Sequence, residues 1–304
     1  MLALGTSGRR DPLAPPAGGG VTTARLSSGR EARLEPADDG LVLVIDGIEQ
    51  SHIGAPGAAP RHASARWMLA AALECLAGGG RRALHLGGGA ATLPRLLQHA
   101  LPHLDQRVVE LEPALAELVL AEAPLPHGVE LEVGDGRAVL EAQAEPVSIV
   151  LSDVFGGGSV PAPFTSIEFY AAARAALEPG GALLVNSADG PPLAFVRAQL
   201  ATVRAVFAHV ALISTGSTLA GARFGNVVLL ASDAPLPLEA IRERLRGEAP
   251  PAAVLPWSRL ERFVADTAPE PVTDATAIDS APPTRAAYLG PGALPPSLLE
   301  RDGD

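Results

Sequence analysis

Residues 83–97 read ALHLGGGAATLPRLL, and this stretch decides how the rest of the chain is read. A short apolar run at 83–86 meets three consecutive glycines, Gly87, Gly88 and Gly89, and a helical pattern follows at 92–100. Glycine lets the backbone turn sharply and lets a ligand approach where a Cβ would stand. A helix opening just after it points free N–H groups at the same spot. A glycine turn alone also occurs without any ligand, so its meaning depends on its surroundings.

Strand-like and helix-like runs alternate on the C-terminal side. Strand 107–111 precedes helix 113–121, strand 129–133 precedes a short helix 137–142, strand 147–151 precedes helix 166–177, and strand 182–185 precedes helix 193–207. This alternation predicts parallel βαβ units with right-handed crossovers, hence a doubly wound α/β sheet. Runs 210–214 and 226–231 then follow with no helix between them, which predicts an antiparallel terminal pair. A parallel sheet that ends this way resembles the class I methyltransferase-like domains more than the NAD-binding ones.

Toward the N-terminus, a helix is expected at 62–76, preceded by short β-like runs at 21–26, 31–34 and 41–45, the last followed by a turn at Asp46-Gly47 and a return strand. The expected organisation is a disordered leader (1–20), a small N-terminal β-hairpin lobe (21–60) and the nucleoside-binding domain (61–235). A Pro/Ala-rich extension (236–304) follows, with one helix at 238–246, partial packing of 257–264 and disorder near Asp304. No internal repeat is visible.

Composition narrows the chemistry. The chain has 304 residues and 47% hydrophobic residues, enough for a sizeable core. Its net charge of −11 argues against a nucleic-acid partner, whose protein surface would be basic. All the basic side chains except histidine are arginine, so no lysine can form a Schiff base or serve a phosphate-binding P-loop. The single cysteine, Cys75, lies in an apolar helical run and leaves no partner for an intrachain disulfide or a cysteine metal cluster. A cytoplasmic location is expected, with no metal and no membrane span, since the most apolar helical stretch, 67–77, is far shorter than the ~20 residues a bilayer needs.

Four features fall on successive strand ends. The first is the glycine turn. Glu110, in RVVELEP, closes the second strand, where an acid can accept hydrogen bonds from ribose hydroxyls; Glu112 is the second choice for that role or a helix N-terminal carboxylate. Asp135 in Val133-Gly134-Asp135-Gly136 closes the third, suited to an adenine amino group with Gly136 leaving room for the base, or to a helix N-cap. Asp153, in Leu151-Ser152-Asp153, closes the fourth at the switch point of the sheet, as a base or holder for an amine, or as a turn residue before Gly156-Gly157-Gly158. His85 reads as a core residue, His62 as a residue near the cleft, Glu168 as structural support, and Trp67 and Met68 as core or interface.

Over about residues 31–232 these motifs resemble the spermidine synthase (polyamine aminopropyltransferase) family. LVLVIDGIEQS resembles its strand–turn segment with a DGxxQ signature, which implies Gln50 at the cofactor's edge. LHLGGG resembles its glycine loop, and VELEP, VGDGR and LSDV its ribose, adenine and catalytic-strand motifs. SVPAPFTSIEFY and LEPGGALLVN resemble the helix and fifth strand that follow. The resemblance implies a seven-stranded, mainly parallel methyltransferase-like sheet of order 3-2-1-4-5-7-6 below a small β-lobe. It also implies aminopropyl transfer from decarboxylated S-adenosylmethionine to a small-molecule amine, Asp153 as base or orienter, and a homodimer as one expected state.

The chain departs from the family's pattern at several points. Ala90 stands where the family usually has an Asp that contacts the cofactor's amino group. Gly156 stands where it has a second catalytic-loop Asp. PRHASARWM lacks its Tyr-His/Gln-Glu cluster, and no Tyr lies in 215–222. The nucleoside half is therefore better kept than the amine half. Three other functions are consistent with the residues: a methyltransferase using intact S-adenosylmethionine, a catalytically silent nucleoside-binding module, and an NAD(P) oxidoreductase.

Overall fold

A computed structural model describes residues 20–267 and 269–282. The expected leader, apart from Gly20, and the chain end at Asp304 lie outside these described residues.

Four antiparallel strands open the chain: β1 (Thr22–Arg25), β2 (Glu31–Ala37), β3 (Gly40–Ile45) and β4 (Ile48–Gly54), arranged in the order β1-β2-β3-β4. The expected hairpin is thus the second half of a four-stranded meander. Three elements, α1 (Ala63–Leu76), β5 (Arg82–Leu86) and α2 (Thr92–Ala100), lead into the main sheet. It continues with β6 (Asp105–Glu110), α3 (Pro113–Glu122), β7 (Val129–Val133), α4 (Gly136–Glu141) and β8 (Val147–Ser152). Next come α5 (Ile167–Ala176), β9 (Leu177–Asp189), α6 (Ala194–Val206), β10 (His209–Thr215), α7 (Gly216–Leu219) and β11 (Gly225–Ser232).

The main sheet runs β12-β10-β11-β9-β8-β5-β6-β7, where β12 is Ala252–Pro256. Numbered along the chain from β5 to β11, its strands have the expected order 3-2-1-4-5-7-6. β5 to β9 pair in parallel, and β10 and β11 form the antiparallel end.

The extension contributes more than the one helix expected. After α8 (Leu238–Arg244), β12 pairs antiparallel with β10, Ile213 opposite Val254, and α9 (Trp257–Ala265) folds back. The five residues AAVLP carry little strand signal of their own. The open edge of β10 supplies the missing half of the ladder, so tertiary pairing makes this strand.

Period-two alternation sends successive side chains to opposite faces. Leu183 and Val185 of β9 join the cluster under α5, α6 and α9, while Leu184 joins the cluster under α1, α2 and α8. A third cluster joins the N-terminal sheet to α3 and includes Ala90, which is fully buried with Leu34, Leu43, Leu115 and Val119. Among the described residues, no helix is long and apolar enough to cross a membrane.

His85 is a core residue, as expected. Its Nε2 lies 2.9 Å from Gln106 Oε1, and Gln106 Nε2 donates to Pro94 O and Gln98 Oε1 at 3.0 and 2.8 Å. With the Gln106 amide nitrogen committed as donor, its oxygen must accept, so His85 carries its proton on Nε2. Burial pushes the imidazole down from 6.5 to about 4. The neutral ring therefore supports the fold above pH 6.5, and that support is lost as pH falls through about 4. Chemical denaturation of His85→Gln across this range should reveal a shallower loss of stability with acid than in the parent; an identical slope would contradict the assignment.

Candidate active site

The glycine turn sits where three strand ends crowd together. Gly87 has φ +91°, and its N–H donates to Val109 O at 3.0 Å. A Cβ there would stand 2.4 Å from Asp153 O, so only glycine lets β5 leave the sheet against the end of β8. Asp153 N–H in turn donates to Leu86 O at 2.8 Å. Ala91, at φ +55°, completes the turn into α2.

Glu110 is buried at the end of β6. Its Oε2 accepts from Gly88 and Gly89 N–H, both at 3.0 Å, and its Oε1 accepts from Glu112 N–H at 3.0 Å. Three of about four carboxylate lone-pair sites are thus engaged with backbone, and the side chain fixes the glycine loop from below. Glu112, the second choice, turns away: it accepts from Ser27 N–H at 2.9 Å and Ser27 Oγ at 2.7 Å, fastening the N-terminal sheet to the start of α3.

Asp135 lies on the adjoining strand end, since Gly134 N–H donates to Glu110 O at 2.9 Å. It caps α4, with Oδ1 accepting from Arg137 and Ala138 N–H at 2.8 and 3.4 Å. These bonds run through Oδ1 and leave Oδ2 outside the cap. Gly136 faces Leu86 and the Phe164 ring, both 3.6 Å from where its Cβ would be, which leaves an apolar floor. Glu110 and Asp135 therefore share one rim.

Asp153 is exposed just past the end of β8, while the protein packed around it raises its carboxyl above the usual range by desolvation. The Asn186 hydrogen bond and the positive field of His62 oppose that rise. Asn186 Nδ2 donates to Asp153 Oδ1 at 2.8 Å, and Asn226 Nδ2 donates to Asn186 Oδ1 at 3.2 Å. His62, at the start of α1, has Nε2 3.3 Å from Glu49 Oε1, and Arg61 Nη1 is 3.7 Å from the same carboxylate.

Gln50 is exposed, with Nε2 3.4 Å from Ile48 O. The β3–β4 register pairs Val44 with Glu49 and Leu43 with Ser51, so Gln50 is the extra residue of a β-bulge. Its neighbour Ser51 makes the contact to the loop, Oγ accepting from Ala90 N–H at 3.0 Å. Ala90 packs inward with the lobe and puts no group into the cleft.

Sequence reasoning missed Ser51, Asn226 and Leu111, and gave Asn186 no role beyond its place in LLVN. Asn186 was signalled by a polar residue closing an apolar strand. Leu111 was signalled by an apolar residue beside Glu110, and it is 67% exposed on the rim. Asn226 and Ser51 had no signal, because their partners lie 40 and 39 residues away.

Comparison with solved structures matches this fold to a "probable spermidine synthase" from Corynebacterium glutamicum, 30% identical, over 85% of this chain and 97% of that one with a TM-score of 0.76. The chain belongs to the spermidine synthase family. A spermidine synthase from Thermotoga maritima, 16% identical over 75% of this chain and 77% of that one (TM-score 0.54), shares the fold. Among curated proteins, a probable polyamine aminopropyl transferase of Bifidobacterium longum is 30% identical over 117 residues, covering 38% of this chain and 26% of its own length. Polyamine aminopropyltransferase 2 of Hyperthermus butylicus is 34% identical over 142 residues, 40% of this chain and 45% of that protein. The match thus spans less than half the length of either curated relative. No family model matches the chain.

Two substitutions test this geometry. Gly87→Ala combines a positive φ with overlap on the Asp153 carbonyl and should destabilise the fold by about 3 kcal/mol, read by denaturant unfolding. Asp153→Asn should raise the melting temperature at pH 7. The ionised carboxylate disfavours the fold once pH rises through its raised folded pKa, so the gain should shrink as pH falls toward the ordinary carboxylate range. A lower melting temperature at pH 7 would contradict this.

Proposed function

We propose that this family member transfers an aminopropyl group from decarboxylated S-adenosylmethionine to a small-molecule amine, with Asp153 as base and orienter. The observation that carries the reading is Asp153 itself. It stands at the switch point of the sheet against the glycine turn, with one carboxylate oxygen held by Asn186.

In this reading the Gly87–Gly89 backbone gives the donor a Cβ-free approach and the remaining Glu110 lone pair meets the ribose. Asp135 Oδ2 takes the adenine amino group above Gly136, Leu111 offers an apolar platform for the base, and Gln50 lies at the edge. Displacement is in line. The acceptor nitrogen forms a bond to the carbon beside the sulfonium, the carbon–sulfur bond breaks, and the thioether leaves with the electron pair. The acceptor must attack with a free lone pair, and its surplus proton passes to Asp153. Holding amine and carbon in line supplies most of the acceleration, and the base supplies roughly a hundredfold or more.

A second reading, methyl transfer from intact S-adenosylmethionine, is supported by one observation: the buried Ala90 puts no negative charge against the carboxylate that only the intact donor carries. Calorimetric titration with both donors and with NAD separates the cofactors. Mass spectrometry after incubation with decarboxylated donor and putrescine, or with intact donor and the same amine, separates the reactions. The proposal expects tighter binding of the decarboxylated donor and a product heavier by one aminopropyl group. It also expects Asp153→Asn to lose at least about a hundredfold in turnover while keeping donor affinity. A methylated product, or stabilisation by ligand with no product from any amine, would overturn it.

A further inference from the structure

Asp153, Asn186 and Asn226 come from three adjacent strands: Asp153 follows the last residue of β8, Asn186 lies within β9 three residues before its end, and Asn226 is the second residue of β11. They share one face of the sheet. Leu151, Leu184 and Val228, each two residues along the same strand, are all in the cluster beneath α1. Asn186 sits opposite Val228 in the ladder, which makes Asn226 its diagonal neighbour, within side-chain reach.

The polarity of this row is fixed by chemistry. An ionised carboxylate only accepts, so Asn186 must turn its NH2 toward Asp153. That leaves Asn186 Oδ1 pointing along the row inside a residue only 5% exposed, where an unpaired acceptor is costly. Asn226 Nδ2 satisfies it. If Asn226 is removed, the orientation that serves Asp153 leaves Asn186 Oδ1 buried without a partner, which weakens the Asn186 hydrogen bond to Asp153. We propose that Asn226, acting through Asn186, is a positioning residue that holds one oxygen of Asp153 to the sheet and turns the other to the cleft. The consequence for turnover rests on the transfer reading above; the geometric claim does not.

The charged groups around Asp153 are His62 at the start of α1, Glu49 of β4 paired with His62, Arg61 beside Glu49, and Glu110 of β6, whose carboxylate is engaged with loop amides. None of these belongs to the asparagine row, so a change in Asn226 reaches Asp153 through Asn186.

The test is a carboxyl carbon-13 NMR titration of the full chain, with the Asp153 signal assigned by its loss in Asp153→Asn. Asn226→Ala should move the Asp153 midpoint upward by about one pH unit, the equivalent of a weakened hydrogen bond to a charged group. Affinity for 5′-methylthioadenosine should stay within about twofold, since no nucleoside contact is altered. Asn186→Ala should give at least the same shift, and adding Asn226→Ala to it should change nothing further, because both act through one amide. If the alanine variant does not fold, the near-isosteric Asn226→Leu, which lacks the donor and adds no charge, should shift the midpoint in the same direction. With transfer turning over, kcat should fall about tenfold and its acid limb should move to higher pH, with the donor KM unchanged. An unmoved midpoint in a folded Asn226 variant, or shifts that add in the double variant, would overturn the proposal. A wild-type chain that makes no product while the shifts appear would refute the transfer reading and leave the positioning role intact.

Discussion

The close approach of the Gly87 backbone to the Asp153 carbonyl is the contact on which the cleft depends. A glycine at φ +91° lets the chain leave β5 where a Cβ would stand 2.4 Å from the Asp153 carbonyl oxygen, just beyond β8. Because the two strand ends touch there, Asp153 stands beside the glycine loop. The Glu110 carboxylate then fixes the next two loop amides from the neighbouring strand. A backbone turn with free N–H groups would otherwise flex; tied to a buried carboxylate it keeps one shape.

The N-terminal sheet gains its place through the same loop. Ser51 accepts from the Ala90 amide, Ser27 donates to Glu112, and the Ala90 methyl joins an apolar cluster with residues of the sheet and α3. A carboxylate in that cluster would need a partner to be buried at tolerable cost. The alanine suits its surroundings, and the family's usual acid at this position would not.

The far side of the rim is built by residues close to the end of the described chain. Arg137, just after the Asp135 cap, donates to Pro163 O at 2.7 Å and forms a forked pair with Asp274, which also accepts from Ser166. Val272 O receives the Ile167 amide at 2.8 Å, and Ser280 pairs with Val160 through both side chain and backbone. Residues 160–166, which follow β8, are therefore held from outside by a segment more than 100 residues later in the chain.

The sequence alone determined the alternation of strands and helices, the order of the acids along it, and the glycine turn. These follow from periodicity and local backbone chemistry, which act over a few residues. Only the tertiary structure decided which oxygen of each acid is free. Glu110 is largely engaged with loop amides, Asp135 is half committed to a helix cap, and Asp153 is held by an asparagine row drawn from two other strands. The added strand β12 belongs to the same class. It depends on the edge of β10, which exists only once distant segments have met.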